Sequence, residues 1–522
     1  MSNMFWRILF LGLFLTTTMT ASAKTILYVP ADDRPVSLQY AADTVTAAKF
    51  DILVPPVEYL AGHSREGDPE RLWDWVLTNA SQADALVLSV DSLIYGGLVD
   101  SRVHEFSSVV LEWRLKRFDQ LKKLCPHSPL YAYSTVMRSP KASGSPVEPP
   151  YYEKYGSTIF QVTALQDKAE TLGLTAAERQ QLQTSTASIP ADIMADWMNR
   201  RAKNYQINAQ LVNLTRTGVI DYLIAGRDDT AVFSQSHKEG RLLNQLAHDL
   251  SISKYASFPG ADQLGMVLLA RAYNTLNGTT PVIAVHYTLG TAAATIPRYE
   301  DQPFGQTITD HIMAAGGIVG TPYQKPDLLL AVNTPLSNIT EEAELLDNIP
   351  AILNSTRQFV TTVKQNIAAG IPVAIVDVAF ANGADNALMT ELNSNRLLTR
   401  LSAYSGWNTA SNTLGYALGQ GLMAKSMNDT DRLNILAVRY LDDWAYQANI
   451  RKEIYREQPD LRDDNVRYLD QPNTELEAMV QKKLRSFARK QLWVQPDSVQ
   501  VSFPWNRLFE IDITLTPPAS VH

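Results

Sequence analysis

The chain is 522 residues long, with 46 basic and 54 acidic side chains, a formal net charge of −8 and a single cysteine, Cys125. That acidic balance, with no basic run longer than Gln481-Lys482-Lys483-Leu484-Arg485, argues against a nucleic-acid partner, which needs a basic footprint. A lone cysteine permits no intramolecular disulfide, so stability has to come from a large packed core, which this length supplies as roughly two or three domains or one large barrel with attachments.

In chain order, the first segment reads as a leader. Arg7 precedes the apolar stretch Ile8 to Leu15, and Ala21-Ser22-Ala23 has the small-x-small pattern of a signal-peptidase site, so cleavage is expected after Ala23. The apolar core falls short of the about 20 residues of a membrane span, and Thr16-Thr17-Thr18 interrupts it. The expected product is periplasmic or secreted and keeps no membrane span.

From there, short apolar runs alternate with longer amphipathic stretches, the βαβ rhythm of a parallel sheet. Strands are predicted at Ile26–Val29, which leads into Asp32-Asp33-Arg34-Pro35, at Ile52–Val54, and at Leu86–Val90, which leads into Asp91-Ser92 and Tyr95-Gly96-Gly97. A helix over Glu112–Leu124 ends at Cys125, read as structural, and is followed by a strand at Leu130–Ser134. The longest loop, Ser139 to Tyr155, is rich in Pro, Ser and Gly, and reads either as a lid or as a surface excursion whose aromatics pack on the body of the fold. A helix over Pro190–Thr217 precedes the strand Tyr222–Ala225, which ends in Gly226-Arg227-Asp228-Asp229. Helices follow at Lys238–Leu250, Gln263–Leu276, Glu341–Ala368 and Leu388–Arg400, interleaved with strands at Val282–Tyr287, Leu328–Asn333, Val373–Asp377 and Leu401–Tyr404. Unbroken apolar strands imply helices on both faces, so the fold class is α/β, either a TIM-like barrel or a large mainly parallel sheet with flanking helices. From residue 431 the pattern changes to helices over Arg432–Glu457 and Glu475–Gln491 and a strand pair, Val499–Phe503 with Leu508–Leu515. The expected division is a leader at 1–23, a catalytic α/β domain at 24–430 and a smaller α/β subdomain at 431–522.

The strings Asp32-Asp33-Arg34-Pro35-Val36, Asp91-Ser92-Leu93-Ile94-Tyr95-Gly96-Gly97-Leu98-Val99 with Ser101-Arg102, Gly226-Arg227-Asp228-Asp229, Gly260-Ala261-Asp262 and Gly406-Trp407-Asn408-Thr409 resemble a bacterial family catalogued as domain of unknown function 4127. The resemblance covers essentially the whole chain after the leader. It implies no particular activity, so function is argued from the residues.

Carboxylates at strand ends are placed for chemistry. Glycoside hydrolysis needs two of them across the scissile bond, roughly 5 Å apart for retention or 6.5–9.5 Å for inversion. Asp32, Asp33, Asp91, Asp228, Asp229 and Asp377 all fall at or just beyond predicted strand ends. The adjacent Asp228 and Asp229 resemble the acid pair of substrate-assisted glycosidases acting on N-acetylated sugars. By that analogy Asp228 polarises the acetamido group and Asp229 protonates the leaving oxygen, with mutual repulsion separating their pKa values. Asp32, Asp33, Arg34, Asp91, Arg102 and Arg138 are the expected polar substrate contacts, Tyr95 and Trp407 the aromatic platforms, and Asn408 an amide contact. Each has a structural alternative. Asp229 can cap a helix over Thr230–Lys238 while Asp228 pairs with Arg227. Asp32 to Pro35 can be a tight turn with an internal ion pair, Trp407 can fill a barrel mouth, and Asn408 can cap the helix that follows it.

Other chemistries have less support. The eight histidines show no zinc spacing, and no Gly-x-Ser-x-Gly elbow, Gly-x-Gly-x-x-Gly or P-loop is present. No metal or cofactor is therefore expected. The expectation is a glycoside hydrolase acting on an amino-sugar-containing glycan, with a non-catalytic glycan-binding protein or a carboxylate-bound divalent-metal hydrolase as alternatives.

Overall fold

In the computed structural model, residues 23–63, 65–143, 147–288, 292–321, 324–345, 347–458 and 474–516 are described. The expected leader, apart from Ala23, lies outside the described residues.

The first half forms β1 (Thr25–Val29), β2 (Asp51–Leu53), β3 (Ala85–Ser89), β4 (Leu130–Val136), β5 (Tyr222–Arg227) and β6 (Tyr255–Pro259). All pair in parallel, in the order β2-β1-β3-β4-β5-β6. The chain steps outward from β1 to β2, then returns past β1 to lay down β3, so the order reverses between β1 and β3. In open α/β sheets the crevice beyond the carboxyl ends at such a reversal is where ligands bind. The second half contributes β7 (Val282–Tyr287), β8 (Ile318–Val319), β9 (Leu328–Asn333), β10 (Glu341–Glu342), β11 (Val373–Asp377), β12 (Phe380–Ala381) and β13 (Ala403–Ser405). Five of these form a second parallel sheet, ordered β13-β11-β9-β7-β8, while β10 and β12 pair separately. Its order reverses in the same way, between β7 and β9. The mainly parallel sheet with flanking helices is thus realised, and realised twice.

Both faces of each sheet are covered, which is why the strands read as unbroken apolar runs. On the first sheet Leu27, Val29, Leu86, Leu88, Leu130 and Ala132 pack outward. Ile26, Tyr28, Val87, Tyr131 and Ile224 face the second sheet through a shared helical layer. Within that layer, helix Leu264–Leu276 lies on β3 and β4, and helix Ala410–Met423 lies on β11 and β13 and against the first helix. All 14 residues of Ala410–Met423 are buried, as a helix caught between two sheets must be.

Three differences from expectation have local causes. Strand β6 was not anticipated: it is half exposed at its start and ends in Pro259, so as an edge strand it lacks the apolar run of its neighbours and tolerates proline. The predicted helix over Glu341–Ala368 is helical only from Asn354 to Ala368, because Glu341 and Glu342 pair with Phe380 and Ala381. The predicted loop to Tyr155 turns helical at Tyr152, and helices Tyr152–Thr171, Ala176–Ala187 and Ala191–Arg216 separate β4 from β5. Part of this insertion has its own apolar cluster of Tyr152, Ile159, Val162, Ile189 and Trp197.

The C-terminal region comprises helix Asp429–Arg439, a π-helical run Tyr440–Ile450, helices Arg451–Glu457 and Thr474–Gln491, and the antiparallel pair β14 (Val499–Ser502) and β15 (Asp512–Leu515). Leu441, Tyr446, Val480, Leu484 and Ile513 close a core of their own, while Tyr440 and Trp444 pack on the second sheet. Among the described residues no helix is long and apolar enough to cross a membrane.

Candidate functional site

The β1–β3 reversal is drawn together by hydrogen bonds onto the backbone carbonyls that follow β1. Ser92 Oγ donates to the Pro30 carbonyl (2.6 Å) and the Leu98 amide to that of Ala31 (3.1 Å). Just beyond β1, Asp32 accepts from Arg34 through the amide (3.2 Å) and Nε (2.9 Å), so the tight turn with its internal ion pair is present. The guanidinium does more than close a turn: it also reaches Asp262 (2.7 Å) after β6 and Glu510 (3.2 Å) between β14 and β15. Asp262 accepts from Asn408 Nδ2 (2.6 Å), and Asn412 Oδ1 receives the amides of Ala261, Asp262 and Gln263. Burial raises the Asp262 pKa against the pull of Arg34. Asn408 therefore does not cap the next helix, whose capping position is Thr409.

A second network runs along the ends of β3, β4 and β5. Asp91 is fully buried; its Oδ2 accepts from the Thr135 amide (3.1 Å) and hydroxyl (2.7 Å), while Oδ1 has no hydrogen-bond partner. Burial pushes its pKa up to about 7, with Thr135 and Arg102 pulling down and Asp228 adding to the rise. Asp228 meets Arg102 Nη2 at 2.6 Å. Its pKa is raised by burial and by the adjacent Asp229 charge, which Arg102 and Arg138 oppose. Asp229 adopts φ 33° and accepts from Arg138 Nη1 at 3.1 Å. Glu148 ties the arginines together, 2.6 Å from Arg138 and 3.9 Å from Arg102.

The structural alternative for Asp228-Asp229 does not occur. Arg227 turns away to a bidentate pair with Asp301 (2.7 Å through both Nε and Nη2). The next helix starts only at Gln235, capped by Ser234 Oγ, which accepts from the His237 amide (3.0 Å).

Beside Asp229 a cleft of about 650 Å³ opens between the carboxyl ends of the two sheets. One wall carries Arg138, Ser139, Lys141, Asp229 and Thr230, and the other Ile296, Arg298, Tyr299, Asn338 and Thr340. Tyr299, at φ 69°, donates to Glu342 (3.0 Å) and leaves 37 % of its surface exposed.

The structure thus gathers Asp91, Arg102, Asp228, Asp229 and Arg138 in one network and Asp32, Arg34 and Asn408 in the other. The two communicate, since Arg34 lies near enough to Asp228 to lower its pKa. Two expected platforms face inward. The Tyr95 ring is 2 % exposed and stacked on His104 at 4.8 Å, and Trp407 is 4 % exposed and packed on Phe509 at 5.5 Å. The close approach allowed by Gly96 and Gly97 is taken up by Gly67 and Ala61 rather than left open. Tyr299, Glu148, Asp262 and Glu510 were not anticipated as site residues, and neither was Trp505, whose Nε1 donates to Asp33 (2.7 Å) opposite the Arg65–Asp33 ion pair (2.9 Å). Only the Gly260-Ala261-Asp262 string signalled one of them. Trp505 and Glu510 lie 472 and 476 residues from the partners they meet.

Among the described residues no group of three or more His, Cys, Asp and Glu side chains is placed to hold a metal ion. A family model described as "Protein of unknown function (DUF4127)" matches residues 26–514. No curated protein matches the chain.

Proposed function

Because the chain belongs to the DUF4127 family, a description that assigns no activity, its function has to be read from the site, and we propose that it is an exported glycoside hydrolase acting on an amino-sugar-containing glycan. The observation that carries this is the conformation of Asp229. A non-glycine residue in the left-handed region is uncommon and costs free energy. Here it turns a carboxylate onto the wall of a saccharide-sized cleft, directly after the half-buried Asp228. Asp229 is the carboxylate that faces a bound glycoside, and Asp228, held by Arg102, is the second acid directly behind it. Tyr299 offers the exposed ring face on which a sugar stacks. Asn338 offers an amide, and Thr340 a hydroxyl that has no hydrogen-bond partner, to an acetamido or hydroxyl substituent. Export rests on the leader pattern of Arg7, Ile8 to Leu15 and Ala21-Ser22-Ala23.

The test is turnover of a panel of nitrophenyl glycosides, N-acetylhexosaminides included, by the protein and by Asp229→Asn, each with and without EDTA. Release that resists EDTA and falls at least about 100-fold in the variant, as for loss of an acid–base group, supports the proposal; turnover undiminished in Asp229→Asn removes it. A second reading is favoured by one feature: Asp32, Asp228 and Asp229 are each ion-paired to an arginine, as in a binding site tuned for recognition. Saturable binding of the same glycosides by calorimetry without any release identifies a glycan-binding protein.

A further inference from the structure

A separate cavity of about 380 Å³ lies along the flank of helix Gln39–Ala47, between helices Ala410–Met423 and Asp429–Arg439 and the last strand, β15. Its apolar wall is formed by Ile435, Val438, Ile513 and Leu515. Its polar groups are unevenly matched. Lys49 is neutralised by Asp431 (2.6 Å). Arg439, stacked over Tyr40 at 4.1 Å, is held by Asp442 (2.9 Å) and Asp443 (3.0 Å). Asp43, by contrast, has no ion-pair partner among the described residues and accepts only from Gln39 Nε2 (2.6 Å). Gln420, 3 % exposed, lines the same cavity with a carbonyl oxygen, Oε1, that has no hydrogen-bond partner, while its Nε2 is used on Thr44 (3.4 Å). A further carboxylate, Asp512, stands near enough to Asp43 for the two charges to repel, and its Oδ1 is also buried without a partner.

A buried acceptor left without a donor costs free energy, about 1–3 kcal/mol, and the repulsion between Asp43, a solvent-exposed carboxylate, and the neighbouring Asp512 is also unfavourable. Both penalties are relieved by one kind of occupant: a donor carrying positive charge, attached to an apolar body that fills the space between Ile435, Val438, Ile513 and Leu515. We propose that this cavity is a second ligand site, distinct from the cleft at Asp229, that takes a small amphipathic molecule bearing a protonated primary amine. The ammonium donates to Asp43 and to Gln420 Oε1 and the alkyl portion lies on the aliphatic wall. A carboxylate head is repelled by Asp43 and Asp512. A neutral alcohol can satisfy Gln420 and gains nothing from the charges.

The site is tested with the full chain by calorimetric titration of hexylamine, 1-hexanol and hexanoate at pH 7, alongside Asp43→Asn. The expected result is saturable binding of hexylamine, at least tenfold weaker for 1-hexanol and for hexylamine on Asp43→Asn, and none for hexanoate. Absence of saturable hexylamine binding overturns the proposal, as does equal affinity for the amine and the alcohol or an undiminished affinity in the variant. Should Asp43→Asn fail to fold, the amine-to-alcohol comparison on the unaltered protein decides alone. Glycoside turnover does not enter the readout, so the fate of the hydrolase proposal leaves this result unaffected.

Discussion

At the scale of single residues, the candidate site is a set of arginines that hold carboxylates from distant segments. Arg34 is the clearest case, with Asp32, Asp262 and Glu510 all within 3.2 Å of one buried guanidinium. Removing one partner of a buried pair leaves uncompensated charge and costs about 3–5 kcal/mol. Arg34→Met is therefore expected to lower unfolding free energy in urea by that amount, whereas Arg65→Met, at a side chain 42 % exposed, should cost less than about 1 kcal/mol. Similar small losses from both variants would show that Arg34 is not the keystone of its network. The identities of Asp32, Asp33, Asp91, Asp228 and Asp229 as strand-end acids were legible, because each directly follows an apolar run. Their partners were not: Arg102 meets Asp228 across 126 positions and Arg138 meets Asp229 across 91.

At the scale of elements, the Gly-Arg-Asp-Asp string is explained by the packing of β5. A Cβ on Gly226 would stand 2.4 Å from the Gly260 carbonyl oxygen and 2.5 Å from Leu264 Cδ1. One neighbour is backbone and cannot move aside, so the strand end is kept bare for the Gly260–Asp262 turn to lie against it. Gly226→Ala is expected to destabilise by about 1–3 kcal/mol, the usual cost of overpacking, and to perturb the site through Asp262. A thermal midpoint within a degree of the parent would show that the turn can yield. The central strands were readable to within a few residues because burial on both faces writes a continuous apolar signal. Edge strand β6 and the two-residue strands β8, β10 and β12 carry too little buried surface to write one. The long stretch from Ser139 to Thr217 was recognised at its start and at its last helix. The helices between have polar, weakly periodic surfaces, with no buried residue at all in Ala176–Ala187.

At the scale of the whole molecule, the fold buries several acids deeply enough to raise their pKa. The pKa is pushed up to about 7 for Asp91, Asp377 and Asp443 and to about 8 for Glu300, in each case chiefly by burial. In the unfolded chain such groups ionise near pH 4. Between those values the folded state binds more protons, so the stabilisation is complete below about pH 4 and is lost as pH rises through 7 to 8. His104 and His311, lowered to about 4 and about 3 by burial, and His63 and His286, also lowered by burial, act in the opposite sense, an effect that fades as pH rises above about 6.5, where the unfolded histidine loses its proton. From pH 6.5 to 8 the acids outweigh the fading histidine contribution, and the thermal midpoint is expected to fall. In Asp91→Asn the fall should be shallower. A midpoint that rises toward pH 8 would contradict the assignment of protons to these groups.

Sequence by itself determined the α/β class, the central strands and the positions of the acids at their ends, because alternation, burial and chain direction are local properties of a parallel strand. Tertiary structure alone decided that two sheets share one helical layer, and that the two networks meet near the first sheet's order reversal. It also set Tyr299, rather than Tyr95 or Trp407, on the cleft, and brought Trp505 and Glu510 back to the first turn of the fold. Those outcomes depend on strand order and on charge pairs formed between segments hundreds of residues apart, where neither periodicity nor spacing carries information.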